Sequence, residues 1–188
     1  MKFPDKTIFR SLALPLICLM FTAWMITESW ADTAKKIDAG VVATLQRFYG
    51  EVKEGKKIVQ DAKGALVFPG VLKAGIGIGG EYGEGALLIK GKPVDYYSTA
   101  AASVGFQLGA QQKSIIILFT QDESLKRFQA ASGWKAGVDA SIAVIKVGAG
   151  AVVDTAKLNE PIIAFVFGQK GLMYNFTLEG SKFTKLKK

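Results

Sequence analysis

Apolar and polar residues along this chain change their spacing twice. The run Leu12–Ile26 is apolar throughout apart from Thr22. From Asp32 to Tyr49 the spacing is helical: at 100° per residue, Ala34, Ile37, Val41, Leu45 and Phe48 fall in one narrow stripe, with Lys36 and Arg47 on the opposite side. Gly40 weakens such a helix by about 1 kcal/mol relative to alanine, so the helix needs a surface to pack on. A second, shorter helix is predicted over Lys56–Lys63, with Gly64 as its C-terminal cap.

Beyond Gly64 the period becomes two. Ala65–Phe68 predicts a short buried strand stopped by Pro69. In Gly75–Tyr82, Gly75, Gly77 and Gly79 alternate with Ile76 and Ile78, so that one face of the strand admits another backbone. A turn near Glu81–Glu84 would lead into a strand Ala86–Ile89 and make a hairpin. Ser103–Ala110 alternates again, and Ile115–Phe119 is wholly apolar. Thr120 followed by Glu123 has the form of a capping box, opening a helix that turns Leu125 and Phe128 inward and ends before Gly133. Ser141–Val147 reads as a strand, and Ile162–Phe167 with Leu172–Leu178 as a hairpin turning at Gly168–Gly171. The expected fold class is α+β: a mainly antiparallel, glycine-rich sheet with amphipathic N-terminal helices and one internal helix.

The first apolar run changes the picture of the whole chain. Lys2, Lys6 and Arg10 precede it, and Ser29-Trp30-Ala31 places small residues where a signal peptidase reads. Fifteen residues are short for a span that needs about 20. The reading is a signal peptide over 1–31 and a single domain over 32–188, exported to the periplasm or beyond; an uncleaved anchor competes with it. Cys18, the only cysteine, lies within this run behind Ile17, which is too large for a lipoprotein signal. Residues 32–188 therefore contain no thiol for disulfides or thiolate metal sites.

The chain carries 24 basic and 16 acidic residues and no histidine, a net charge of +8. Such a surface favours anionic partners, and export makes nucleic acid the least suitable of them. Without histidine, and with the one cysteine in the signal segment, the Ser-His and Cys-His nucleophile systems and the usual zinc ligand sets are excluded. Glu81 with Glu84 is a carboxylate pair in form, but charged turn residues are ordinarily just solvated. Gly75-x-Gly77-x-x-Gly80 matches a dinucleotide fingerprint only on paper, because a strand rather than a helix follows it. Gly50 to Lys56 resembles a phosphate loop, but Lys57 stands where a magnesium-binding Ser or Thr is required. No catalytic residue, metal site or cofactor is assigned.

The segment Ala62–Gly75, AKGALVFPGVLKAG, followed by Gly79–Leu87, GGEYGEGAL, resembles the opening signature of the SYLF family, also called Ysc84 or DUF500. Gly105–Gln111, Gly137–Ser141, Lys170–Tyr174 and Leu178–Ser181 continue the resemblance in the family's order. Tyr97-Ser98-Thr99-Ala100 departs from it, standing where eukaryotic members have Trp-Ser-x-Pro. The resemblance implies lipid binding, to phosphoinositides in eukaryotic relatives, through an N-terminal amphipathic helix and basic residues. Lys63 and Lys73 match basic positions of the signature, and with Lys36, Arg47, Lys56 and Lys57, basic residues gathered in the same first third of the chain, they are the candidate head-group contacts. Ile37, Val41, Leu45 and Phe48 are the candidate membrane-facing apolar residues. The expected partner is anionic phospholipid or a membrane surface at the cell envelope, without nucleic acid and without catalysis. An envelope scaffold binding another protein, and a small outer-membrane β-barrel, remain as alternatives.

Overall fold

The structure is a computed structural model. It describes residues 33–148, 155–170 and 178–188, and within them the backbone alone for 76, 77, 103–109 and 155. The expected signal segment, and most of the strand expected over Leu172–Leu178, lie outside the described residues.

Helix α1 spans Ala34–Glu51, and its N-cap Thr33 accepts a bond from the Lys36 backbone N–H at 3.3 Å. Helix α2 covers Gly55–Asp61, entered through Glu54 in the left-handed region (φ 61°). It ends sooner than expected: Ala62 is already extended, and Gly64 opens the next strand instead of capping a helix.

The largest correction concerns the following strands. Gly64–Ile89 is one continuous strand, β1, and Lys92–Phe119 is a second, β2, antiparallel to it along its length. Pro69 does not stop β1. It sits in a register shift between Phe68 and Val71, where a missing N–H costs no ladder bond. Nor does the chain turn at Glu81–Glu84. The turn is Lys90–Gly91, both with positive φ (51° and 76°), the two-residue geometry whose twist matches flanking strands.

The hairpin then coils back on itself. Gly75 lies against the backbone of Ile78 and Gly79 at a bend in β1. Farther along, a Cβ on Gly83 would strike Gly70 and Val71, and one on Gly85 would strike the Val67 carbonyl. These glycines let the second half of the strand press against its first half.

Among the described residues, strand β2 is the spine of a curled sheet of six strands. One edge pairs with β1. Along the other edge, Tyr96–Ala100 pairs with β6 (Lys182–Leu186), and Gln112–Phe119 with β5 (Ile162–Lys170). The short β3 (Trp134–Lys135) continues the sheet beyond β6, and β4 (Ala143–Lys146) runs parallel to β5, the one departure from antiparallel pairing among the described strands. Strand β5 runs through Gly168 to Lys170, past the point where a turn was expected. Helix α3 (Asp122–Ala130) has Leu125 and Phe128 inward as expected, but the capping box does not form. Gln121 takes the cap position without a side-chain bond, and Thr120 Oγ1 donates to the Glu160 carbonyl at 2.8 Å instead. A 3-10 turn spans Thr155–Asn159.

The two faces of the sheet carry separate cores. The first gathers Leu66, Phe68, Leu87, Ile117 and Phe183 around Phe128 of α3 and Trp134. The second lies under α1, with Val67, Ile116, Phe165 and Phe167 meeting Val41 and Phe48. Gly40 permits that docking, since a Cβ there would come within 3.0 Å of the Pro69 ring. Tyr97 is enclosed in the first core, and burial, with the Asp95 charge adding to it, pushes its hydroxyl up to about 12. Native Tyr97 thus holds its proton more tightly than the unfolded chain does. Its contribution to stability is whole below pH 10 and is lost as pH rises toward 12. Thermal midpoints measured across that range should fall with pH, and Tyr97→Phe should flatten the fall.

Candidate functional site

Of the six expected basic contacts, Lys73 is drawn into the fold, and Arg47, its side chain 40 % exposed, reaches across to the sheet. Lys73 is only 9 % exposed, in β1 opposite Gln111 and near Lys113. It could be read as a surface residue only while β1 was taken as separate short strands. Arg47 Nη2 donates to Ser114 Oγ at 2.5 Å, and the guanidinium lies 5.0 Å from the Phe167 ring centroid. Ser114 in turn donates to the Pro69 carbonyl at 2.6 Å. Arg47 is therefore a clasp between α1 and the sheet, its charge partly shared with Glu51 at 3.9 Å.

The apolar stripe of α1 is likewise turned inward. Ile37, Val41 and Phe48 are 3 %, 2 % and 0 % exposed, all within the second core. Folded, the helix offers these side chains to the sheet and not to a bilayer. Leu45, half-buried, instead lines a cavity described below.

Lys36, Lys56, Lys57 and Lys63 are exposed, as expected. Lys56 and Lys57 lie in the first turn of α2. Lys63 stands between that helix and β1, its backbone N–H donating to the Phe119 carbonyl at 2.8 Å. A partly enclosed cavity of about 370 Å³ brings the end of α2 together with the hairpin tip. Leu45 and Tyr49 of α1, Val59 and Gln60 of α2, Ala65 and Leu88 of β1, and the turn residues Lys90 and Gly91 are among those that line it. Lys90 is exposed at its edge and was missed by sequence reasoning. The signal was present: Ile89-Lys-Gly-Lys92 follows an apolar run with a glycine suited to a tight turn, but the glutamates at Glu81 and Glu84 drew the turn elsewhere.

The carboxylate pair is dismantled by the strand. Three residues apart in β1, Glu81 and Glu84 point to opposite faces. Glu81 is held by Lys113, with Nζ 2.7 Å from Oε2, while Glu84 accepts from Tyr82 at 2.6 Å and Lys188 at 2.8 Å. Among the described residues no helix is long and apolar enough to cross a membrane.

Comparison with curated proteins finds no match. Residues 100–188 match the family model Ysc84, described as Las17-binding protein actin regulator. The matched residues include the blocks at Gly105–Gln111, Gly137–Ser141 and Leu178–Ser181. They take in most of β2 and every later element, whereas the strand that covers the whole of one β2 edge, β1, lies ahead of them. Ysc84 is a binding-domain family, and residues 100–188 of this chain are similar to its (SYLF) domain.

Proposed function

We propose that the chain is an exported, non-catalytic lipid-binding protein that meets anionic phospholipid at the cell envelope through the lysines of α2 and the hairpin tip. The observation that carries this reading is the convergence of exposed Lys56, Lys57 and Lys63 with Lys90, all borne on segments that meet at the 370 Å³ cavity. Each lysine held near an anionic surface contributes about 1 kcal/mol, roughly a fivefold gain. Electrostatic attraction of this kind needs no helix insertion, which agrees with α1 being docked on the sheet.

Vesicle flotation tests it. The purified protein should float with phosphatidylglycerol vesicles and not with phosphatidylcholine vesicles. Changing Lys56, Lys57 and Lys63 together to glutamine should weaken binding roughly 100-fold with an unchanged thermal midpoint. Raising salt to 1 M, where the screening length falls from about 10 Å to about 3 Å, should imitate the variant. A wild-type chain that ignores both vesicle types at low salt would end the lipid reading. The second reading, a protein partner at the envelope, rests on the family's description, which names a Las17-binding protein.

A further inference from the structure

We infer that the cavity between α1, α2 and the hairpin tip takes up one acyl chain of an anionic amphiphile, with the lysines at its mouth holding the charged group. The choice of ligand rests on the lipid reading above. Leu45, Val59, Ala62, Ala65 and Leu88 supply apolar walls, with Tyr49, Gln60 and Lys90 also among the lining residues. At about 370 Å³ the space lies within the range of small-molecule sites, toward its lower end. That suits a single chain better than a pair. Such a cavity would still leave a ligand's polar end unaccounted for, and the charge around it supplies the answer. Lys63 stands between the lining residues Ala62 and Gly64, and Lys90 borders the space. On α2, Lys56 shares a helical face with the lining residues Val59 and Gln60, three and four positions on. A slot with mainly apolar walls and a polar, cationic edge is complementary to a molecule with an apolar tail and an anionic head. A neutral lipid, or a free anion without a tail, would satisfy only half of it.

The backbone adds a reason for this placement. Lys90 holds a left-handed conformation (φ 51°) in a two-residue turn, which fixes the tip of the hairpin beside α2. The distance between the charged rim and the apolar walls is thereby set by the sheet and not by a mobile loop.

Calorimetric titration of the purified protein with n-alkyl phosphates, kept below their micelle concentrations, tests the inference. Inorganic phosphate is the head-group arm and decanol the chain arm. Affinity should rise about fourfold with each methylene that enters the cavity and then level off. Inorganic phosphate alone and decanol alone should each bind at least tenfold more weakly than decyl phosphate. Val59→Trp and Ala62→Trp, two independent ways of filling the space, should each lower decyl phosphate affinity at least tenfold, with thermal unfolding confirming that the fold is kept. Affinity independent of chain length in the wild-type protein would overturn the inference, as would tight decyl phosphate binding by either folded variant. In both cases flotation with phosphatidylglycerol vesicles would show the lipid reading standing without it. Chain-length dependence in a protein that does not float would support the cavity and sink the membrane reading.

Discussion

Replacing Phe48 with alanine should cost about 3–5 kcal/mol of stability, the range for emptying a buried aromatic site. The ring is completely buried on the inner face of α1. It packs edge-on to Phe165 at 4.9 Å between centroids and tilted against Phe167 at 5.4 Å. Both partners belong to β5, so the truncation opens a hole between helix and sheet. Gly55 closes tightly beside the same ring, at 3.1 Å from an added Cβ, so α2 would lose its support as well. In a domain of this size each kcal/mol moves the midpoint by about 2–4 °C, and a fall on the order of 10 °C should be seen by calorimetry. The measurement also bears on function. If α1 left the sheet in solution to present its stripe to a membrane, Phe48→Ala would leave the midpoint almost unchanged and weaken vesicle binding instead.

The second large effect concerns the buried pair Lys113–Glu81. Lys113 is 1 % exposed and Glu81 is 8 % exposed, with Nζ and Oε2 2.7 Å apart. Removing one partner of such a pair leaves a charge in a poorly solvated place and costs about 3–5 kcal/mol. Glu81→Ala should therefore destabilise by that amount. Changing both residues together, Glu81→Leu with Lys113→Met, should recover most of the loss, because the penalty lies in the uncompensated charge more than in the missing attraction. Burial already pushes the Lys113 ammonium below its ordinary value of 10.5, with Glu81 pulling it part of the way back. Its folded value lies below its unfolded one, so the folded chain binds fewer protons in the interval between them, and stability from this group rises with pH across that interval. Without Glu81 the interval widens downward. The deficit of Glu81→Ala relative to wild type should therefore shrink as pH rises toward 10. A deficit constant with pH, or a double variant as unstable as the single, would show that the two charges are not coupled in the fold.

Residue spacing by itself determined the local elements. The stripe Ile37, Val41, Phe48 identifies α1 and its buried face, Leu125 with Phe128 identifies α3, and the apolar runs Ile115–Phe119 and Ile162–Phe167 lie within β2 and β5. Family blocks spread along the chain carried the recognition. Spacing could not say what the α1 stripe would meet, because a sheet and a bilayer select the same apolar period. Only the packing of Gly40 on Pro69 and of Phe48 on Phe165 decided for the sheet. The turn at Lys90–Gly91 was also a tertiary decision. Gly83 and Gly85 look like turn residues locally, yet they stay in β1 because β2 pairs with them and their bare faces receive the backbone of Val67–Val71. That one continuous strand carries Lys73 inside and turns Glu81 and Glu84 to opposite faces. It also sets Lys90 beside α2, so the candidate site owes its position to pairings between residues far apart in sequence, which no local period encodes.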